Sequence, residues 1–251
     1  MLRPRLIACL DVAADRVVKG VQFQGLVVLG RPEDLARRYE DQGADELVLL
    51  DITATQERRG PSLAVVEKTA RQLGIPLTVG GGIRDRAGAL SVLAAGADKV
   101  SVNSAALARP DLVGQVAEEA GSQAVVAAID VRREAGMHRV YADGGRTATL
   151  WTLRDWVARV AALGAGEVLL TSIDRDGTGE GYDLDALAVA GAAARLPVIA
   201  SGGGRTAKHL AAALAVPGVT GALVAGVLHR GDVTLAELKQ QLTDEGVPVR
   251  A

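Results

Sequence analysis

The chain has 251 residues, of which 49% are hydrophobic and only 2% aromatic, and 28 Lys and Arg against 30 Asp and Glu leave a formal net charge of −2. A core of small aliphatic residues suits parallel strands buried on both faces, and the balanced charge gives no reason to expect nucleic acid or an acidic membrane as a partner. The one cysteine, Cys9, excludes an intrachain disulfide, as is usual in a reducing cytoplasm; the apolar run LIACL is too short for a signal peptide, and no run approaches the ~18 residues of a membrane span.

In chain order, short apolar runs alternate with helix-like segments. Strands are predicted at 5–10, 46–50, 77–79, 99–102, 124–129, 168–170, 198–200 and 222–225. Between them lie segments such as PEDLARRYEDQG (32–43), where Pro32 suits a first helical position and Gly43 a stop. SLAVVEKTARQLG (62–74) reads as a helix capped by Ser62 and ended by Gly74. Eight such units without a linker predict one (β/α)8 TIM barrel over residues 1–251. The chain also repeats itself. GADELVLLD (43–51) and TVGGG (78–82) recur as GAGEVLLTS and IASGG at an offset of 121, and KVSVNS recurs as GALVAG at 122. The barrel therefore reads as two similar halves, roughly 1–121 and 122–251. Two connections are long for such a fold. The first, 12–31, holds Lys19 and possible pivots at Gly20, Gly25 and Gly30, and reads as a lid. The second, 131–151, reads as an insertion in which HRVYAD forms a short strand pair.

Side chains alternate along a strand, so Arg5, Ile7, Cys9 and Asp11 share one face. Asp11 ends the first strand and Asp130 the fifth, which places them opposite each other across the C-terminal mouth, where barrels of this kind carry their sites. Two carboxylates there can serve as general acid and base. Glycine clusters follow the third and seventh strands (80–82 and 202–204), ahead of helix starts near Asp85 and Thr206. Exposed N–H groups of Gly81, Gly82, Gly202 and Gly203, completed by Asn103 and Ser104 in one half and Ala225 and Gly226 in the other, would make two anion sites. They predict a substrate with a phosphate at each end. Asp51, Thr171, Asp176 and Gly177 are placed to contact it, with local turn bonding the competing reading for Asp51 and Asp176. At the other end of the strands, Arg5, Glu46, Lys99 and Glu167 point inward as either two salt bridges plugging the floor or a gate for something small. His138 falls in a loop, His209 and His229 in or near late helices, and no metal-ligand spacing or dinucleotide fingerprint occurs; neither metal nor cofactor is expected.

The segments CLDVAADRVVKGVQF, GADELVLLDITA, LTVGGGIR, AGADKVSVNSAA, GSQAVVAAID, LLTSIDRDGTGEGYD and IASGGG, in this order over essentially the whole chain, resemble the cyclase subunit of imidazole glycerol phosphate synthase, a family of histidine biosynthesis. The sibling isomerase of that pathway shares the half-barrels and paired aspartates, but its QGD-type stretch after the first strand is not present. A non-catalytic barrel that binds or activates a glutaminase is a third reading. The cyclase resemblance implies a cytoplasmic lyase acting on a phosphoribulosyl-formimino aminoimidazole carboxamide ribonucleotide. Ammonia would come from a glutaminase subunit docked on the barrel floor and enter through a gate of Arg5, Glu46, Lys99 and Glu167. The resemblance makes Asp11 and Asp130 the general acid and base, Lys19 a mobile-loop lysine, and Asp98 and Gln123 residues facing the glutaminase. This chain departs from the family at 24–30, at TATLW (147–151), and at Arg205, where a small residue is more usual.

Overall fold

The computed structural model describes residues 3–21 and 24–250, the side chains of 20–26 excepted. The first half of the chain runs β1 (Arg5–Ala13), β2 (Arg16–Val21), β3 (Gln24–Gly30), α1 (Pro32–Asp41), β4 (Glu46–Asp51), α2 (Leu63–Ala70), β5 (Leu77–Gly80), α3 (Arg86–Ala94), β6 (Lys99–Val102), α4 (Ser104–Ala108) and α5 (Asp111–Ala120). The second runs β7 (Val125–Glu134), β8 (Met137–Ala142), β9 (Thr147–Thr152), α6 (Leu153–Ala162), β10 (Glu167–Ser172), α7 (Leu184–Ala193), β11 (Val198–Ser201), α8 (Ala207–Leu214), β12 (Val219–Val224), α9 (Gly226–Arg230) and α10 (Leu235–Asp244). Strands β1, β4, β5, β6, β7, β10, β11 and β12 pair in that order, all parallel, and β12 returns to β1. The predicted eight-stranded barrel is therefore closed, and β1 and β7 stand opposite each other. No described helix is long and apolar enough to cross a membrane.

Strand parity sorts the core as the alternation predicts. Leu6, Ala8 and Leu10 pack outward among the helices. Ile7 and Cys9 point inward and meet Val48, Val126, Leu169, Ile199 and Leu223 in the barrel's interior. Both sets are apolar, so what tells the faces apart is the charge on the inward one: a one-residue slip would turn Arg5 away from Glu46 and Glu167, and Asp11 away from the mouth.

The two long connections hold more strand than the sequence suggests. Both are antiparallel hairpins that continue a barrel strand: β1 turns into β2 and then β3, and β7 into β8 and then β9. The turns lie at Ala14 and Asp15 (φ 47° and 61°) and at Ala135 and Gly136 (φ 47° and 83°), again 121 apart. Two successive positive φ values are what a two-residue turn needs to match the twist of its strands. The half-chain repeat thus extends through the connections, and the second holds two further strands rather than an isolated pair. Residues 22 and 23, the end of the RVVKGVQF stretch, lie outside the described residues.

Helix ends were less legible. α1 starts at Pro32 as predicted, and Gly43 follows its last turn with φ +89°. Ser62 precedes α2 but its side chain makes no capping bond, and the helix stops at Ala70 rather than at Gly74. Gly74 instead donates its N–H to Glu40 Oε1 at 2.8 Å, which ties the segment after α2 to α1.

Candidate active site

The four inward charges close a ring at the floor. Arg5 Nη1 lies 2.9 Å from Glu46 Oε1 and its other terminal nitrogen bonds Glu167. Lys99 Nζ lies 3.1 Å from Glu46 and 3.0 Å from Glu167. Each cation thus meets both anions, and Arg5 also donates to Thr220 Oγ1 at 2.8 Å. Burial would lower the Arg5 pKa, but Glu167 and Glu46 hold it above its ordinary value. Lys99 is the most exposed member, at 17%. Beside the ring, exposed Asp98 accepts the Leu77 N–H at 2.8 Å, and exposed Gln123 donates to the Ala120 carbonyl at 3.1 Å.

Above the ring the interior is lined mostly by apolar side chains, with Thr78 and Ser101 buried among them; at the mouth the charges have no such partners among the described residues. Asp11 on β1 and Asp130 on β7 are each pushed up to about 7, first by burial and then by the carboxylate of Asp176. No cation contributes at either. Asp130 Oδ2 accepts from Asn103 Nδ2 at 2.9 Å, which pulls slightly the other way. The Cys9 thiol lies 3.7 Å from Asp11 Oδ1 and is raised by burial and by that carboxylate, so it is a neutral neighbour. Burial also raises Asp176, against the Gly177 N–H that it accepts. Thr171 pairs in register with both Asp130 and Ser201 and is half-buried beside them.

The glycine clusters form matched backbone cradles. A Cβ on Gly81 (φ +93°) would sit 2.1 Å from the Asp51 carbonyl oxygen, and one on Gly202 (φ +88°) 2.8 Å from that of Ser172, the equivalent carbonyl 121 residues on. Gly82 and Gly203 would each meet a carbonyl at 2.4 Å. Only glycine fits these turns. Asp85 and Thr206 cap the helices that follow, as predicted. Asn103 and Ser104 open α4 beside the first cradle, and Ala225 and Gly226 open α9 beside the second. Each hairpin reaches the other half: Asp143 donates its N–H to Ser104 Oγ at 2.9 Å, and Lys19 Nζ donates to the Gly226 carbonyl at 3.2 Å. A cavity of about 320 Å³ joins Asp11, Lys19, Asp176 and Gly177 to Gly202, Gly203, Ala225 and Gly226.

Asp51 is not in that cavity. Its carboxylate is 4% exposed and taken by Arg59 (3.1 Å to Nη2), by the Thr53 hydroxyl and by the N–H of Ala54 at 3.0 Å. It fixes the loop that carries Arg59, whose carbonyl abuts Gly82. His138 is on β8 rather than in a loop, 3.2 Å from Asp183 Oδ2. Sequence reasoning missed His229, which lines the cavity one turn beyond Gly226 and accepts or donates 2.6 Å from the Tyr39 hydroxyl. Burial and the cations Lys19, Arg38 and Arg230 depress it to about 4, so it is a neutral imidazole. Its spacing from Gly226 on one helical face was the available signal.

Comparison with known proteins follows the same outline. The family model described as "Histidine biosynthesis protein" matches residues 5–234. Proteins named imidazole glycerol phosphate synthase subunit HisF are 51% identical in Gluconacetobacter diazotrophicus, over all of this chain and 97% of that protein, and 51% identical in Myxococcus xanthus, over 99% of that protein. The protein of that name from Streptococcus sanguinis is 47% identical with both chains fully covered. A family match across nearly the whole barrel, and relatives half identical from end to end, establish that the chain belongs to the histidine biosynthesis family of imidazole glycerol phosphate synthase HisF subunits.

Proposed function

We propose that this chain is the cyclase of imidazole glycerol phosphate synthase, an ammonia-dependent lyase. It converts the phosphoribulosyl-formimino aminoimidazole carboxamide ribonucleotide into imidazole glycerol phosphate and aminoimidazole carboxamide ribonucleotide. The observation that carries the reading is the pair Asp11 and Asp130, opposed across the mouth and both poised at about 7. Near neutral pH each of these groups is about half protonated, so either can give or take a proton.

The bis-phosphate substrate lies across the mouth. One phosphate takes the N–H groups of the first cradle, Gly81 and Gly82, beside Asn103 and Ser104. The other takes those of Gly202 and Gly203, with Gly177, Ala225 and Gly226 around it and Lys19 above. Thr171 and Asp176 face the middle of the substrate, and Asp51 acts by fixing the loop behind the first cradle. A glutaminase docks on the floor against Asp98 and Gln123 and delivers ammonia at the ring of Arg5, Glu46, Lys99 and Glu167. The desolvated, mostly apolar interior above the ring favours neutral ammonia over ammonium. At the mouth, ammonia attacks the substrate; elimination and ring closure then release the two products, with Asp11 and Asp130 moving the protons. Turnover of the substrate by the isolated chain, with an ammonium salt as nitrogen source, tests the reading. Turnover of the open-chain isomerase substrate with no ammonium requirement would replace it by the sibling activity, and absence of both would leave a binding subunit.

A further inference from the structure

The half-chain repeat lets the molecule serve as its own control. Arg84 and Arg205 are 121 residues apart, each three residues after the turned glycine of its cradle and two before a helix. Arg84 is committed to the protein: its Nη1 donates to the Arg58 carbonyl at 2.5 Å, and its own carbonyl accepts from Arg109. Arg205 has no hydrogen-bond or carboxylate partner among the described residues. Its chain crosses Gly179, where a Cβ would meet Arg205 Cδ at 3.1 Å, and it stands in the wall of the cavity with Lys19 and Arg230. Asp232 is taken by Arg230 at 2.6 Å. The depressed Lys19 and His229 have Arg230 among their causes, as befits a wall rich in cations.

We infer that Arg205 is a specificity-determining residue of the second cradle: its guanidinium donates to oxygens of the phosphate held by the N–H groups of Gly202 and Gly203, so the two ends of the mouth grip unequally. A planar fork of donors suits a phosphate with two free oxygens. Arg84, at the same place in the first half, contributes no such grip. The inference rests on the bis-phosphate reading above.

The test compares Arg205→Gly, Arg205→Lys and Arg84→Gly by calorimetry with each of the two product phosphate esters, which carry one phosphate each. Arg205→Gly weakens one product about tenfold, the scale of a lost charge-assisted bond, and leaves the other within twofold. The substrate KM rises by a similar factor, kcat stays within twofold, and the salt dependence of KM flattens. Arg205→Lys recovers part of the loss, and Arg84→Gly changes neither product by more than twofold. Unchanged affinity for both products in Arg205→Gly, or equal loss for both, overturns the inference. If the parent enzyme does not turn over the substrate, the functional reading fails, and inorganic phosphate titrated against the amide resonances of Gly202 and Gly203 decides on Arg205 alone. Saturation at the same phosphate concentration in parent and Arg205→Gly rejects it.

Discussion

The floor and the mouth of this barrel both bury charge, and they do so in opposite ways. At the floor, two cations alternate with two anions and every member has two partners. At the mouth, Asp11, Asp130 and Asp176 gather three carboxylates that form no ion pair among the described residues, and all three are driven toward the protonated form. A charge buried with its counterion keeps its protonation state and holds a shape. A charge buried without one becomes a proton-transfer group at neutral pH. One fold thus makes a charge-neutral ring and a set of protonatable carboxyls by pairing charged side chains or leaving them unpaired.

The largest effect comes from removing the unpaired charges. Asp11→Asn and Asp130→Asn each lower ammonium-driven kcat by about 10²- to 10⁴-fold, the usual weight of a general acid or base. Near-normal turnover in either variant would remove that residue from proton transfer. The same substitutions have the opposite effect on stability. Both groups have folded pKa values near 7 against 3.8 in the unfolded chain, so the folded state binds the extra protons. Their contribution is complete below pH 3.8 and is lost as pH rises through about 7. Asp11→Asn therefore gains on the order of a few kcal/mol over the parent in urea unfolding at pH 8 and nothing near pH 4. A pH-independent difference would mean that the burial does not strain the carboxylate.

At the floor, Lys99→Ala leaves two glutamates sharing Arg5 and costs about 2 kcal/mol, below the full cost of breaking a deeply buried pair because Lys99 is partly exposed. Thermal unfolding reads that loss, and ammonium- and glutamine-driven rates of the complex separate it from gating: if the two rates keep their parental ratio, the ring is a closure only. The smallest effect is at Asp176. Asp176→Asn removes the charge that, after burial, raises Asp11 and Asp130, so the acid limb of the pH–rate profile moves to lower pH by less than about one unit. A limb that stays in place would show that burial alone sets the poise.

Much of this contrast is legible in the amino-acid sequence. Counting in twos from Asp11 and Thr171 places Arg5 and Glu167 on inward faces, because strand alternation is rigid. The opposed aspartates follow from ring order alone. The hairpins are harder to read, since the turn at Ala14 and Asp15 takes positive φ without a glycine to announce it, whereas its counterpart has Gly136. Asp51 illustrates another limit: a carboxylate at a strand end looks the same in sequence whether it faces a ligand or, as here, Arg59 and the turn that follows. His229 meets Tyr39 across 190 residues of chain, a contact no local pattern contains. Ser62 occupies a capping position and does not cap, because residue type permits that bond without compelling it.

The membership of the floor ring also bears on how the two halves come together. Arg5, Glu46 and Lys99 belong to the first half and only Glu167 to the second. Either half alone carries an imbalance at its base, a surplus cation in one and a lone carboxylate in the other. Each is repelled by a copy of itself there and attracted by its complement, so the ring acts as a keyed latch that makes the unlike pairing the neutral one.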